Sequence, residues 1–262
     1  MRYDNIMGVP AFETFEYEKK KRDYALLIPV INESDRIHKE LYRGQRYKIT
    51  NCVDIVICDG GSTDGSMNER ILKKLDVNSL LIKYGDGRQG TQLRMGIWWA
   101  LERGYKGIIT IDGNNKDSIE DVPKFIEKLE EGYAYVQGSR FIKGGRAIHT
   151  PWQRLLAIKV IHAPVISITA RYWFTDSTNG FRGYSAKYLK DPRVQPLRDI
   201  FVSYELLAYL SVRATQIGYK VCEVPVVRRY PKGKAPTKIT SLNGYKELLI
   251  ILLKNMVGGY KA

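Results

Sequence analysis

From Tyr24 onward, short β-favouring runs alternate with stretches of helical period. Residues 24–29, 53–58, 80–83, 107–111 and 133–137 are read as strands, each a compact apolar run bounded by polar or turn-forming residues. Between them, Ile37 and Leu41, then Met67, Ile71 and Leu75, then Leu93, Ile97 and Leu101, and finally Val122, Phe125, Ile126 and Leu129 recur at three- and four-residue spacing. That spacing lays one face of a helix on a sheet, and the alternation of the two periods is the pattern of βα units and a largely parallel sheet.

Beyond residue 137 the alternation lapses. A Gly-rich basic loop, Lys143-Gly144-Gly145-Arg146, leads to Pro151 and a helix expected over 152–169. Short β-like pieces follow at 173–175 and 181–185, then a helix over 204–217, a strand over 220–227, a basic loop and a last helix over 243–257. The expectation is one α/β domain over 1–262, Rossmann-like and mostly parallel across 24–141, less regular across 142–242, and closed by a C-terminal helix in 243–262. There is no internal repeat or low-complexity segment.

Composition narrows the class. Hydrophobic content of 44% and charged content of 27% are those of an ordinary globular chain, which excludes a disordered, collagen-like or disulfide-stapled protein. Charge changes the picture more: 42 Lys+Arg against 28 Asp+Glu leaves +14, and a polyanionic partner follows. Nucleic acid, an anionic membrane and phosphorylated small molecules all qualify. Cys52, Cys58 and Cys222 show no CxxC spacing and are read as free thiols in a reducing compartment. The three histidines are scattered along the chain. Residues 1–22 are too polar for a signal peptide, and no apolar run reaches the roughly 18 residues of a membrane span, so a cytoplasmic location is expected, in solution or on a membrane face.

In an open parallel sheet, ligands bind at the carboxyl ends of the strands. Polar signatures fall there in succession: Pro29-Val30-Ile31-Asn32-Glu33; Asp59-Gly60-Gly61-Ser62-Thr63-Asp64; Asp112-Gly113-Asn114-Asn115-Lys116-Asp117; and Gly138-Ser139-Arg140-Phe141. Any one of them reads as an ordinary turn or cap. Four in order point to a single ligand-binding edge.

The motifs resemble those of family 2 glycosyltransferases. Residues 28–37 are similar to the family's "IPVxNE" opening, 58–66 to its "DDGSTDGT" segment, 111–117 to its DxD-type metal motif, and 138–141 to "GSRF". Residues 176–185 resemble the "DxxSGFR" segment of the polyprenol-phosphate sugar synthases, and Gly87-Arg88-Gln89-Gly90 resembles the "GKGxA" turn. The resemblance implies a GT-A fold and a nucleotide-diphosphate sugar donor, UDP- or GDP-linked. It implies that Pro29, Asn32 and Glu33 shape the nucleotide pocket, that Asp59 contacts base or ribose, and that Gly60, Gly90 and Gly113 admit the ligand closely. Arg94 and Arg140 are then phosphate contacts, and so is the basic run Arg228, Arg229, Lys232, Lys234 and Lys238, which resembles the family's "RxxGxSK" tail, with Arg229, Lys234 and Lys238 foremost.

The resemblance also implies a divalent cation, Mg²⁺ or Mn²⁺, held by Asp112 and by Asn114, which stands where the family usually has a second Asp. Asp117 is an alternative donor. Asp176 and Glu205 are the candidate acceptor-side acids, Asp176 preferred. The implied acceptor is a polyprenyl phosphate, reached by inverting transfer, with a saccharide acceptor as the alternative. The helices over 152–169 and 243–257 suit either a membrane interface or core packing. Against a nucleic-acid-binding protein stand the missing motifs of that class and the dispersed tyrosines. Against a dehydrogenase or P-loop enzyme stands the absence of GxGxxG and GxxxxGK[ST].

Overall fold

Leu26, Leu27 and Ile28 are inaccessible to solvent because their strand lies mid-sheet with helices on both faces. Side chains alternate across a strand, so Leu27 enters one core while Leu26 and Ile28 enter the other. The computed structural model describes residues 1–232 and 242–261. Its strands are β1 (Arg2–Tyr3), β2 (Phe12–Glu16), β3 (Tyr24–Val30), β4 (Val53–Asp59), β5 (Val77–Lys83), β6 (Gly107–Thr110), β7 (Tyr135–Ser139), β8 (Arg146–Ile148), β9 (Arg182–Ser185), β10 (Val221–Pro225) and β11 (Val227–Arg229). Its helices are α1 (Asp35–Arg46), α2 (Glu69–Lys74), α3 (Gln89–Glu102), α4 (Val122–Glu130), α5 (Trp152–Ala157), α6 (Ala163–Ala170), α7 (Ala186–Leu189), α8 (Glu205–Gln216) and α9 (Leu242–Met256).

One sheet runs in the order β1-β2-β5-β4-β3-β6-β9-β7-β10, and β11 pairs with β8 in a two-stranded sheet. Strands β5, β4, β3 and β6 are mutually parallel. Strand β9 runs antiparallel between β6 and β7, joining the two halves into one hydrogen-bonded layer. Helices α1 and α4 cover one face, where Ile37, Leu41, Phe125 and Leu129 are buried. Helices α3 and α8 cover the other, burying Leu93, Ile97, Leu206 and Leu210.

The fold is the α/β architecture expected, with local differences. The antiparallel strands β1 and β2 extend the β5 edge and were not anticipated. Residues 173–175 form no strand: the Phe174 amide donates to the Ser167 hydroxyl and the Thr175 amide to the Glu223 carboxylate. The strand expected over 220–227 divides at Val226 into β10 and β11, which join different sheets. The helix expected over 152–169 is interrupted by a π-type segment, Ile158–His162. Its wider turns let Pro164, which has no N–H, fall in the first turn of α6.

Candidate functional site

Strands β3 and β4 are parallel neighbours, so the loops after Val30 and Asp59 leave from the same sheet edge and interlock. Asp59 is buried; its Oδ2 accepts from the Gly61 and Ser62 amides at 2.9 and 2.8 Å, and its Oδ1 from the Ser62 hydroxyl at 2.6 Å. Asn32 Oδ1 accepts from the Thr63 amide at 2.9 Å, and the Asn32 amide donates to Ser62 Oγ at 2.9 Å. The Ser34 amide donates to Asp64 Oδ2 at 2.7 Å, and hydrogen bonding from Ser66 draws the Asp64 carboxyl down to about 2. Asn32 and Ser34 both have left-handed backbone, φ 50° and 51°, which Asn tolerates better than other non-glycine residues. Glu33 is buried and paired with Arg36 at 2.8 Å, while Pro29 is half-buried within β3.

Strand β6 flanks β3 on the other side, so Asp112, two residues beyond its end, emerges on the same edge. One face of α3 spans this edge. Gln92 donates to the carbonyls of Val30 and Cys58 at 2.6 and 2.8 Å, and Gln89, one turn earlier, donates to Asp112 Oδ1 at 3.0 Å. Gly60 lies so close that a Cβ there would sit 3.0 Å from Gln92 Nε2. A Cβ on Gly113 would meet Val30 Cγ2 at 2.7 Å, so glycine there lets the Asp112 loop cross the tip of β3.

Arg228, from β11, divides its fork between two carboxylates: Nη2 to Asp112 Oδ2 at 3.0 Å and Nη1 to Asp117 Oδ2. Burial pushes Asp112 up, but the Arg228 guanidinium and the Gln89 amide hold it below the usual carboxylate range. Asp117 is fully enclosed and burial pushes it up to about 6 against the pull of Arg228. Burial and the Arg228 charge bring Lys116 down to about 8. Beneath the loop lies Glu40, inaccessible to solvent and raised well above the ordinary value by burial; its Oε2 accepts from the Asn115 amide at 2.8 Å.

Asn114 donates its amide to the Asp112 carbonyl at 2.8 Å, while its own Oδ1 is buried with no hydrogen-bond partner. An orphaned amide oxygen is a donor of the kind a hard divalent cation takes. Asp112 and Asn114 are the residues that would hold such a cation, and both Asp112 oxygens here accept from Gln89 and Arg228. Among the described residues no three His, Cys, Asp or Glu side chains converge on a metal position; Asp117 gives its Oδ2 to Arg228, while its Oδ1 is buried with no hydrogen-bond partner.

On the other half, Asp176 is inaccessible to solvent and held by the Arg140 fork at 2.6 and 2.8 Å. Burial pushes its carboxyl up, yet Arg140 brings it below the ordinary value. Glu205 opens α8, and its Oε2 accepts from the Ser203 amide at 2.6 Å, holding the turn that leads into the helix.

No family model matches the chain. Among curated proteins, the polyprenol monophosphomannose synthase of Mycolicibacterium smegmatis is 24% identical over 204 residues, covering 77% of this chain and 75% of that protein. The undecaprenyl-phosphate mannosyltransferase of Micrococcus luteus is 25% identical over 203 residues, covering 76% and 81%. Among solved structures, glucosyl-3-phosphoglycerate synthase from Mycobacterium tuberculosis, in complex with Mn²⁺, UDP and phosphoglyceric acid, superposes with a TM-score of 0.64 at 15% identity, over 90% of this chain and 78% of that one. The fold is that of the GT-A glycosyltransferases. The sequence resembles the polyprenol-phosphate sugar transferases over about three quarters of its length.

On this GT-A frame the expected site residues separate into groups. Asn32, Glu33, Asp59, Gly60, Asp112, Gly113 and Asn114 gather along the edge formed by β4, β3 and β6. Asp176 does not stand as a free acceptor-side base, because both its oxygens accept from Arg140 and its carboxyl is held acidic; Arg140, in turn, is spent on it. Glu205 holds the turn before α8 through the Ser203 amide. Arg94 donates to the carbonyls of Gly8 and Leu197 and ties down the N-terminal segment. Gly90 brings α3 against protein rather than ligand, since a Cβ there would lie 2.6 Å from the Ser203 carbonyl. Arg229 is exposed on β11, and Lys234 and Lys238 lie outside the described residues.

The sequence singles out neither Gln89 nor Gln92 for these roles, and it marks Arg228 only as one member of the basic run. Gln89 stands in the glycine turn already noted, three positions before Gln92, and that spacing was the available signal. Around α5 and α6, Trp152, Leu156, Val160, Ile161, Ile168 and Trp173 are exposed, with Arg154, Lys159 and Arg171 among them. On α9, Leu249, Ile250, Leu253 and Met256 are exposed as well. No helix among the described residues is long and apolar enough to cross a membrane.

Proposed function

We propose that the chain transfers a sugar, with inversion, from a UDP- or GDP-linked donor to a polyprenyl phosphate at the cytoplasmic face of a membrane. The observation that carries this reading is Asp112, fixed by Gln89 and Arg228 on the same strand edge as the Asn32–Asp59–Asp64 loops. Those loops would receive the nucleoside, and the end of β6 its diphosphate. Mg²⁺ or Mn²⁺ on Asp112 and Asn114 would neutralise the charge that gathers on the departing diphosphate. Lys116 and Arg228 add fixed positive charge beside it.

The acceptor class follows from the carboxylates. A hydroxyl acceptor needs a base, whereas a phosphate monoester is already an oxyanion. Asp176 and Glu205, the two acids proposed for that task, are both engaged within the protein, which favours the phosphate. The lipid follows from the surface: exposed Trp152 and Trp173 bracket apolar residues interspersed with Lys159, Arg154 and Arg171, a composition suited to an anionic interface. The names of the two curated relatives support the same acceptor class.

The test is incubation with radiolabelled UDP- and GDP-sugars, Mn²⁺ and a polyprenyl-phosphate lipid extract. Label in the organic phase is the expected outcome. Label in a water-soluble oligosaccharide, with none in lipid, rejects the polyprenyl acceptor, and salt-sensitive nucleic-acid binding without response to any nucleotide sugar rejects the enzyme. A thermal-shift series with UDP and GDP, each with and without Mn²⁺, separates donor class from cation need.

A further inference from the structure

Tyr204 is the last residue before α8, and the turn that carries it is fastened from two directions. The Arg88 and Thr91 amides, at the start of α3, donate to the Val202 carbonyl at 3.1 and 3.3 Å. On the α8 side, Glu205 Oε2 takes the Ser203 amide. Gly90 allows the close approach, since a Cβ there would lie 2.6 and 2.8 Å from the Ser203 and Phe201 carbonyls. Its neighbour Gln89 is the residue that holds Asp112. The backbone carrying Tyr204 is thereby tied to the same helix start that fixes the Asp112 carboxylate.

The Tyr204 ring packs against the core, but its half-buried hydroxyl makes no hydrogen bond to the described residues. Charges reach it from four elements: Asp112 beyond β6, Arg154 on α5, Glu247 on α9 and Arg88 before α3, the last two paired at 3.0 Å. Burial, and after it the Asp112 charge, push the phenol above its ordinary value, so it stays a neutral O–H. Such a group donates one hydrogen bond and accepts another, the pairing that a sugar hydroxyl needs.

We infer that the Tyr204 hydroxyl is a contact for the transferred sugar, hydrogen-bonded to one of its hydroxyls while the donor's diphosphate lies at the end of β6. This rests on the donor reading given above and names a residue that recognises the sugar rather than the nucleotide. Position supports it. Asp112 marks the diphosphate, Arg154 belongs to the α5 surface assigned to the lipid, and the group that passes from one to the other is the sugar. Chemistry supports it as well, because Arg88 and Arg154 are the better partners for a phosphate oxygen, whereas a neutral phenol suits a neutral hydroxyl.

The test is calorimetric binding of UDP-glucose, UDP-N-acetylglucosamine and GDP-mannose to the full chain, beside UDP and GDP, with Mn²⁺ present throughout. Tyr204→Phe removes a single oxygen that bonds to nothing in the protein, so its melting point should match the native one. It is expected to weaken binding of the preferred nucleotide sugar about fivefold, the usual worth of a neutral hydrogen bond, and to leave the affinity for the matching nucleotide unchanged. On donors lacking single sugar hydroxyls, that fivefold difference should vanish at one position, where the native chain has already lost the bond. An equal loss for nucleotide and nucleotide sugar overturns the inference by placing the hydroxyl on the nucleotide. Unchanged affinity for both, or a loss that persists on every deoxy donor, overturns it too and leaves the donor reading standing. A native chain that binds neither nucleotides nor nucleotide sugars overturns both.

Discussion

Two stretches of the same sheet edge are held by different physics. The loops after β3 and β4 are stitched by short polar side chains to backbone amides, and Asn32, Ser34 and Asp64 stand exposed. The region around the ends of β6 and β11 is built from enclosed charges: Asp112, Asp117 and Arg228, with Arg140 and Asp176 behind them. Exposed polar stitching is cheap to break and re-form, whereas ions taken from water hold their geometry only while every partner is present. The first region can adjust to a ligand; the second is set in advance, as charge stabilisation requires.

The sharpest way to break this comparison is Arg140→Leu. It strands the Asp176 carboxylate in the interior and should cost about 3–5 kcal/mol in urea unfolding; a loss as small as that of a surface residue would erase the distinction drawn here. Asp112→Asn should lower kcat about a hundredfold, as loss of a group acting on developing charge does, and lower the unfolding midpoint by less than Arg140→Leu, because Arg228 keeps its pair with Asp117. Steady-state kinetics and thermal melts on one preparation check both halves of that statement.

His162 tests the buried side by pH. Its ring is enclosed against the Ser177 hydroxyl at 2.7 Å, and burial brings it down to about 4. The folded form resists the proton that the unfolded chain accepts near the ordinary imidazole value, so the unfolded state binds more protons in between. Stability should then fall as pH drops from about 6.5 to about 4, and His162→Gln should flatten that slope; an unchanged slope would remove His162 from the account. The smallest effect belongs to the exposed side: Asn32→Ala should cost about 1 kcal/mol and raise KM for the donor more than it lowers kcat.

The difference between the regions also explains what the sequence disclosed. Asn32 bonds to Thr63 and Ser34 to Asp64, partners about thirty positions apart on adjacent βα units, and the motifs that carry them were readable as strand ends. The five parallel-type strands were readable for the same reason, each a self-contained apolar run. Arg228 meets Asp117 across 111 positions and Asp112 across 116. Nothing local distinguishes it from Arg229 beside it, so the basic run marks the segment but not which residue turns inward. The motif at Asp176 likewise marks the place but not Arg140, 36 positions earlier, which takes both oxygens. Strands β1 and β2 escaped notice because pairing, of β2 with β5 and of β1 with β2, and not any apolar run of their own, makes them strands.

The insertion of β9 between β6 and β7 has a mechanical meaning. Because its hydrogen bonds weld the two halves of the sheet into one layer, the described residues do not divide into two lobes that could hinge shut. Whatever enclosure a reacting sugar receives must come from segments above the strand tips moving over a stationary floor.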